Sequence, residues 1–270
     1  MGDSTPLKKV TTATIREHKN KPEKLVAITA YDYTFAKLVD KEVDIVLIGD
    51  SLGMVIQGES NTLSVTLQDI LYHSRAVSRA LHHAHLVADM PFMTYQTGAN
   101  TALRNAGRLI SEGKAQSVKL EGGVSIARTV EKLVHFGIPV MGHIGLTPQS
   151  VHAFGGHKIQ GRTEVARNSI LQDAIALEEA GAYCIVVEGV PADLAKEITA
   201  RVKIPTIGIG AGAHCDGQIL VIQDVLGMDP EFRPKFVKLY ANLAETVTGA
   251  VHQFARDVQT GAFPEEKHSF

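Results

Sequence analysis

IVLIGDSLGM, residues 45–54, begins with four apolar residues and runs directly into Gly49-Asp50-Ser51. A short apolar run rich in β-branched side chains reads as a strand covered on both faces, because alternation is needed only where one face meets water. A carboxylate at the end of such a strand needs a positive partner, since an isolated buried charge costs several kcal/mol or more. What Asp50 faces therefore depends on where the neighbouring strands end.

Working outward, the run extends to DIVLIGD (44–50), and seven similar runs occur. They are LVAITA (25–30), HLVADMPF (85–92), SVKLEGG (117–123), IPVMGHIG (138–145), YCIVVEGV (183–190), IPTIGIGAG (204–212) and QILVIQDVLG (218–227). Between them lie patterns of helical period. In 66–83, Leu67, Ile70, Leu71, Val77 and Leu81 share a stripe, and Thr66 with Asp69 resembles a capping box. In 163–180, Ile170, Leu171, Ala174 and Leu177 do the same, and Gly181 suits the position just past a helix end. Phe236, Leu239, Leu243, Val247, Val251 and Phe254 predict a last helix. Strands alternating with helices imply a parallel sheet, and eight such units favour a closed (β/α)8 TIM barrel over an open doubly wound sheet. The chain of 270 residues suits one such domain, 1–270, with a short polar N-terminal arm over about 1–24. The eighth unit also reads as a short helix after a turn.

The composition, 44% hydrophobic and 21% charged, is that of an ordinary globular protein, and a net charge of −2 argues against nucleic acid as a partner. No apolar run is long enough to span a bilayer and the start, MGDSTPLKKV, lacks the apolar core of a signal peptide, so a cytoplasmic location without membrane association is expected. Cys184 and Cys215 are isolated and suggest neither a disulfide framework nor a zinc site.

A barrel carries its active site on the rim formed by the C-terminal strand ends. Asp50 and Ser51 end the second strand, Asp89 the third and Glu188 the sixth; Lys119 and Glu121 lie on one face of the fourth, and His143 is on the fifth. Lys119 alone cannot balance four carboxylates. Asp50, Asp89 and Glu121 suit a hard divalent ion with oxygen ligands, and since Mg²⁺ usually takes only one or two protein carboxylates, there is room for Glu121 to bind through a water. The weaker signals are GIGAG (208–212), a short glycine-rich turn that fits no dinucleotide fingerprint, and the long connection 147–163, whose Gly155-Gly156, Lys158 and Arg162 suit a lid over an anionic ligand.

Six ordered motifs carry a resemblance: GDSLGM (49–54), ADMPFM (88–93), VKLEGG (118–123), GHIGLTPQ (142–149), FGGHKIQGR (154–162) and IGIGAG (207–212). From about Val10 to Phe270 the chain closely resembles the ketopantoate hydroxymethyltransferase family. The resemblance implies transfer of a one-carbon unit from 5,10-methylenetetrahydrofolate, a co-substrate, to α-ketoisovalerate, giving ketopantoate for pantothenate synthesis. It also implies Mg²⁺ and a homodecamer of two stacked pentamers. By motif, Asp50, Asp89 and Glu121 are the magnesium-associated acids. Asp50, Ser51, Asp89 and Lys119 contact the keto acid, His143 lines the site, and Glu188 accepts the proton.

The residue types suit that chemistry. A 2-oxo acid offers two oxygens to one metal ion, which stabilises an enolate as a Lewis acid, and Ser51 and Lys119 can hold the carboxylate. A carboxylate on the metal would be a poor base, which separates Glu188 from the other acids. The alternative is a magnesium-dependent lyase or mutase of the phosphoenolpyruvate mutase and isocitrate lyase kind. It would need a cysteine base or phosphorus-binding groups at the rim, whereas Cys184 precedes its strand end and Cys215 follows a turn.

Overall fold

The computed structural model describes residues 7–19, 21–231 and 233–270. Eight strands form a closed parallel barrel in chain order: β1 Leu25–Thr29, β2 Ile45–Ile48, β3 His85–Asp89, β4 Ser117–Glu121, β5 Val140–Gly145, β6 Cys184–Glu188, β7 Thr206–Ile209 and β8 Gly217–Leu220. The (β/α)8 architecture expected from the alternation is present. The helices are α1 Thr12–Arg16, α2 Tyr33–Val39, α3 Leu52–Val55, α4 Leu67–Ser78, α5 Ala99–Ser111, α6 Ala127–His135, α7 Val151–Phe154, α8 Glu164–Glu179, α9 Ala192–Arg201, α10 Ile222–Leu226 and α11 Leu243–Thr260. The chain groups into two compact units, one through Val221 that contains the barrel and one from Ile222 to Phe270.

Strand parity sorts the apolar side chains into two cores. Ala27, Ile45, Leu47, Val87, Met141, Val186, Ile207 and Ile219 fill the barrel interior. The alternate residues Val46, Ile48, Leu86, Ala88, Val118, Leu120, Ile185 and Val187 pack outward against helix residues such as Leu71, Leu109, Leu133, Leu177 and Leu194. Full burial contributes roughly 1.5–3 kcal/mol per large side chain, so a strand gains from both faces. The same parity aims the polar residues. Asp89 lies two residues beyond Val87, His143 two beyond Met141, and Glu188 two beyond Val186, so each faces the interior at the C-terminal end of its strand.

Of the expected N-terminal arm, residues 1–6 and 20 lie outside the described residues. Within the rest, α1 forms with a Thr11–Thr14 capping box, and Ile15 is buried with the interior core. The Thr66–Asp69 capping box opens α4, and Gly181 (φ +93°) follows the end of α8 as its sequence suggested. Two elements differ from expectation. The eighth segment divides into β8 and, in the second unit, α10, so both of its readings hold for different residues. No helix joins β7 to β8, and residues 210–216 alone return the chain to a parallel neighbour. Close backbone approach makes that short return possible: a Cβ on Gly208 would stand 3.0 Å from Cys215 Sγ, and one on Gly212 2.6 Å from Ala192 Cβ. Packing thus accounts for Gly208 and Gly212 of GIGAG, and a left-handed backbone (φ +58°) for Gly210.

In the second unit α11 begins at Leu243, so Phe236 and Leu239 precede it although their spacing continues the stripe. No described residue of α11 is buried. Among the described residues no helix is long and apolar enough to cross a membrane.

Candidate active site

Asp50 lies two residues beyond β2, where the chain turns into α3. Its backbone N–H donates to Asp89 Oδ2 at 2.9 Å, which links the ends of β2 and β3. Asp89 Oδ1 forms a 2.8 Å ion pair with Lys119 Nζ, and Lys119 Nζ lies 3.9 Å from Glu121 Oε1. His143 stands between two acids, with Nδ1 3.3 Å from Glu121 Oε1 and Nε2 3.1 Å from Glu188 Oε2. Lys119 Nζ is also 3.1 Å from His143 Nδ1. A continuous chain of ionisable groups thus runs from β2 to β6 across the mouth. All but Glu188 are buried; the Glu188 side chain keeps 18% exposure. Ser51 meets Tyr31 instead, with the two hydroxyl oxygens 2.8 Å apart.

Burial and the charges of Asp89 and Glu121 push the Asp50 carboxyl well above its usual range. Burial also raises Asp89, against the pull of Lys119. For Lys119, burial opposes the charge, yet Asp89, Glu121 and Asp50 together hold it protonated. Burial would raise Glu121 too, but the hydrogen bond and charge of His143, with Lys119 and the Gln149 N–H, bring it below normal. His143 is disfavoured as a cation by burial and by Lys119, but the carboxylates on either side win and raise it to about 9.

Two buried carboxylates driven toward their protonated forms are what a bound cation would relieve. Asp89 Oδ1 and Glu121 Oε1 are buried, and their partners are the Lys119 and His143 contacts already given. The donors are all oxygen, which suits a hard ion such as Mg²⁺. Among the described residues no group of three or more His, Cys, Asp or Glu side chains is already set in metal-binding geometry. Glu121 Oε2 is occupied by the Gln149 N–H at 2.9 Å, which fits it to an indirect place beside an ion better than to a direct one.

Asp50 and Ser51 lie just past β2, Asp89, Glu121 and Glu188 end their strands, His143 stands in the second half of β5, and Lys119 is the central residue of β4. Three others were not singled out. Gln149 bonds Asp50, Tyr31 bonds Ser51, and Tyr95 OH receives the Glu121 N–H at 3.2 Å. Gln149 does stand in GHIGLTPQ, but an amide side chain in a loop is too common to mark a site. The connection 147–163 is fastened near both ends to the end of β6, through Leu146 N–H to Glu188 O and Gln160 N–H to Gly189 O, each 2.8 Å.

The sequence matches the family model for ketopantoate hydroxymethyltransferase over residues 9–266. The chain belongs to that family. It is 54% identical over 264 residues to the 3-methyl-2-oxobutanoate hydroxymethyltransferase of Pelobacter propionicus, covering 97% of this chain and 98% of that one. The enzyme of the same name from Syntrophus aciditrophicus is also 54% identical, with 97% of each chain covered. Among solved structures, a phosphonopyruvate hydrolase shares the fold with a TM-score of 0.61 at 14% identity, covering 96% of this chain and 93% of that one. A 2,3-dimethylmalate lyase of the phosphoenolpyruvate mutase and isocitrate lyase superfamily gives 0.61 at 15% identity, with 98% and 90% covered. Those likenesses concern the fold alone. Neither cysteine lies at the mouth: Cys184 is the first residue of β6, at the opposite end from Glu188, and burial pushes its thiol well up. Cys215 is buried in the outer core.

Proposed function

We propose that this hydroxymethyltransferase acts on 3-methyl-2-oxobutanoate (α-ketoisovalerate), takes its one-carbon unit from 5,10-methylenetetrahydrofolate, and forms ketopantoate for pantothenate synthesis. The observation that carries the reading is the division of the mouth into two parts. Asp50, Asp89, Lys119 and Glu121 form a buried, charge-dense floor, while Glu188 stands apart from them behind His143 and is partly open.

On this reading Asp50 and Asp89 hold Mg²⁺, with Glu121 behind them. The ion would supply Lewis acidity at the keto oxygen of the substrate. Lys119, protonated among three acids, and the Ser51 hydroxyl bind the substrate carboxylate. Lys119 is therefore poorly placed for Schiff-base chemistry, which needs a neutral amine. Glu188 takes the C3 proton, and His143, hydrogen-bonded on its far side by Glu121, orients Glu188 and lines the site. The carbon–carbon bond forms between C3 and the one-carbon unit, and both bonds from that carbon to the folate nitrogens break. Water supplies the hydroxyl oxygen, and the nitrogens take up the proton removed from C3 and one from the water, leaving tetrahydrofolate. C3 becomes quaternary, so the product has no proton there to lose. We further propose that the enzyme works in the cytoplasm, in keeping with its two free buried cysteines, and as a homodecamer.

The test follows the C3 hydrogen by NMR. Protein, Mg²⁺ and the keto acid in D₂O, without folate, should exchange it, and EDTA should stop the exchange. Glu188→Gln should slow exchange by about 10²–10⁴-fold, the usual size of general-base catalysis. Exchange that persists in Glu188→Gln removes Glu188 from this role, and exchange indifferent to EDTA removes the ion.

A further inference from the structure

Gln149 has no chemical role in the reading above, yet its contacts reach three strand ends. It lies in the single turn Pro148–Ser150 just after β5, and it is buried. Its Nε2 donates to Asp50 Oδ2 at 2.9 Å and to Met90 O at 3.0 Å. Its Oε1 accepts from Gln96 Nε2 at 3.1 Å and lies 2.9 Å from Tyr95 OH. Its backbone N–H donates to Glu121 Oε2 at 2.9 Å. The side chain fits one way round only. Reversed, its carbonyl would face a carboxylate and a main-chain carbonyl, and its NH₂ would face another amide NH₂.

We propose that Gln149 is a positioning residue for the cation and keto-acid site. Its side chain locks the Asp50 carboxylate through Oδ2 and leaves Oδ1 for a ligand. Its backbone restrains Glu121 at the same time. The clamp is assembled from within the protein, since Tyr95 and Gln96 fix the amide from behind. Gln149 touches no reacting atom; it acts through Asp50 and Glu121. This inference rests on the cation site proposed above. Partners that orient metal-binding side chains typically change metal affinity by about 10–100-fold when removed. A glutamine that merely stabilised the loop would instead lower the melting temperature and leave the affinity of the folded protein unchanged.

The experiment titrates Mg²⁺ alone into the full-length protein by calorimetry, for wild type, Asp50→Asn, Gln149→Met and Gln149→Asn, with a thermal melt of each. Methionine keeps length and flexibility without a donor. Asparagine stays polar but is one methylene too short to bridge Tyr95 and Asp50, and it carries the test if the methionine variant does not fold. Both Gln149 variants should bind Mg²⁺ about 10–100-fold more weakly. At saturating Mg²⁺ they should raise KM for the keto acid and keep kcat within about threefold. Wild-type affinity in either folded variant overturns the proposal, as does a lowered melting temperature with affinity unchanged. If the wild type binds no Mg²⁺, or Asp50→Asn binds it as tightly as wild type, the cation site itself falls and Gln149 falls with it. Loss in Asp50→Asn with none in the Gln149 variants defeats the Gln149 proposal alone.

Discussion

His85 is the first residue of β3 and faces the lower interior of the barrel, far down the strand from Asp89. Its Nε2 lies 2.9 Å from Ser117 Oγ, which lies 2.9 Å from Tyr183 OH, and the His85 and Tyr183 rings meet edge to face. Burial, then the charge of Lys9, lowers its pKa to about 4. An unfolded histidine titrates near 6.5, so the fold favours the neutral ring. The stability it contributes is fully present above about pH 6.5 and is lost as pH falls toward 4, on the order of 3 kcal/mol in all. Denaturant midpoints measured from pH 7 to 4 should fall across that window in the wild type and fall less in His85→Gln; equal slopes would show that another group is responsible. At this scale the sequence was most informative where it broke its own pattern. Asp50, Asp89, Lys119 and Glu188 stand out because a charge at the end of an apolar strand is costly without a partner. Gln149, Tyr31 and Tyr95 do not stand out, because neutral polar residues in loops cost nothing until folding buries them.

At the scale of elements, the strands were legible from apolar runs, and their boundaries were less so. DIVLIGD was read to residue 50, but β2 ends at Ile48 and Asp50 sits in the turn, which is why its backbone N–H is free to cap Asp89. The missing β7–β8 helix was not legible, because periodicity marks helices that exist and says little about how short a glycine-assisted return can be. The early start read for α11 has a similar cause. Phe236 and Leu239 keep the spacing, but the Tyr240 N–H is committed to Val225 O instead of to the carbonyl four residues back, as a helix over that stretch would need. The turn before β3 depends on one side chain from the end of α2. Asp40 is buried and accepts from the backbone N–H groups of His82, His83 and Ala84, each at 2.9 Å. Asp40→Ala would leave three donors without partners and should destabilise the protein by about 2–4 kcal/mol in urea unfolding. A loss below about 0.5 kcal/mol would mean that water replaces the carboxylate.

For the whole molecule, the apolar stripe of α11 matters most. Val247, Val251, Phe254 and Val258 follow helical spacing, yet each is 49–59% exposed. We propose that this stripe, exposed in the single chain, is a face for association in the homodecamer proposed above. Val251→Asp with Phe254→Asp should shift the sedimenting species to smaller mass without changing the far-ultraviolet dichroism of the barrel; an unchanged sedimentation coefficient would place the subunit contacts elsewhere. The barrel carries one further consequence in the two-residue alternation of its strands. Deleting Ser117, the first residue of β4, and slipping the rest of the strand back by one would swing Lys119 and Glu121 out among the helices and bring Val118 and Leu120 to the interior. Architecture and chemistry are written in the same phase, so neither can drift without the other. Loops can be rewritten freely around such a frame, but its strands can only be kept or lost whole.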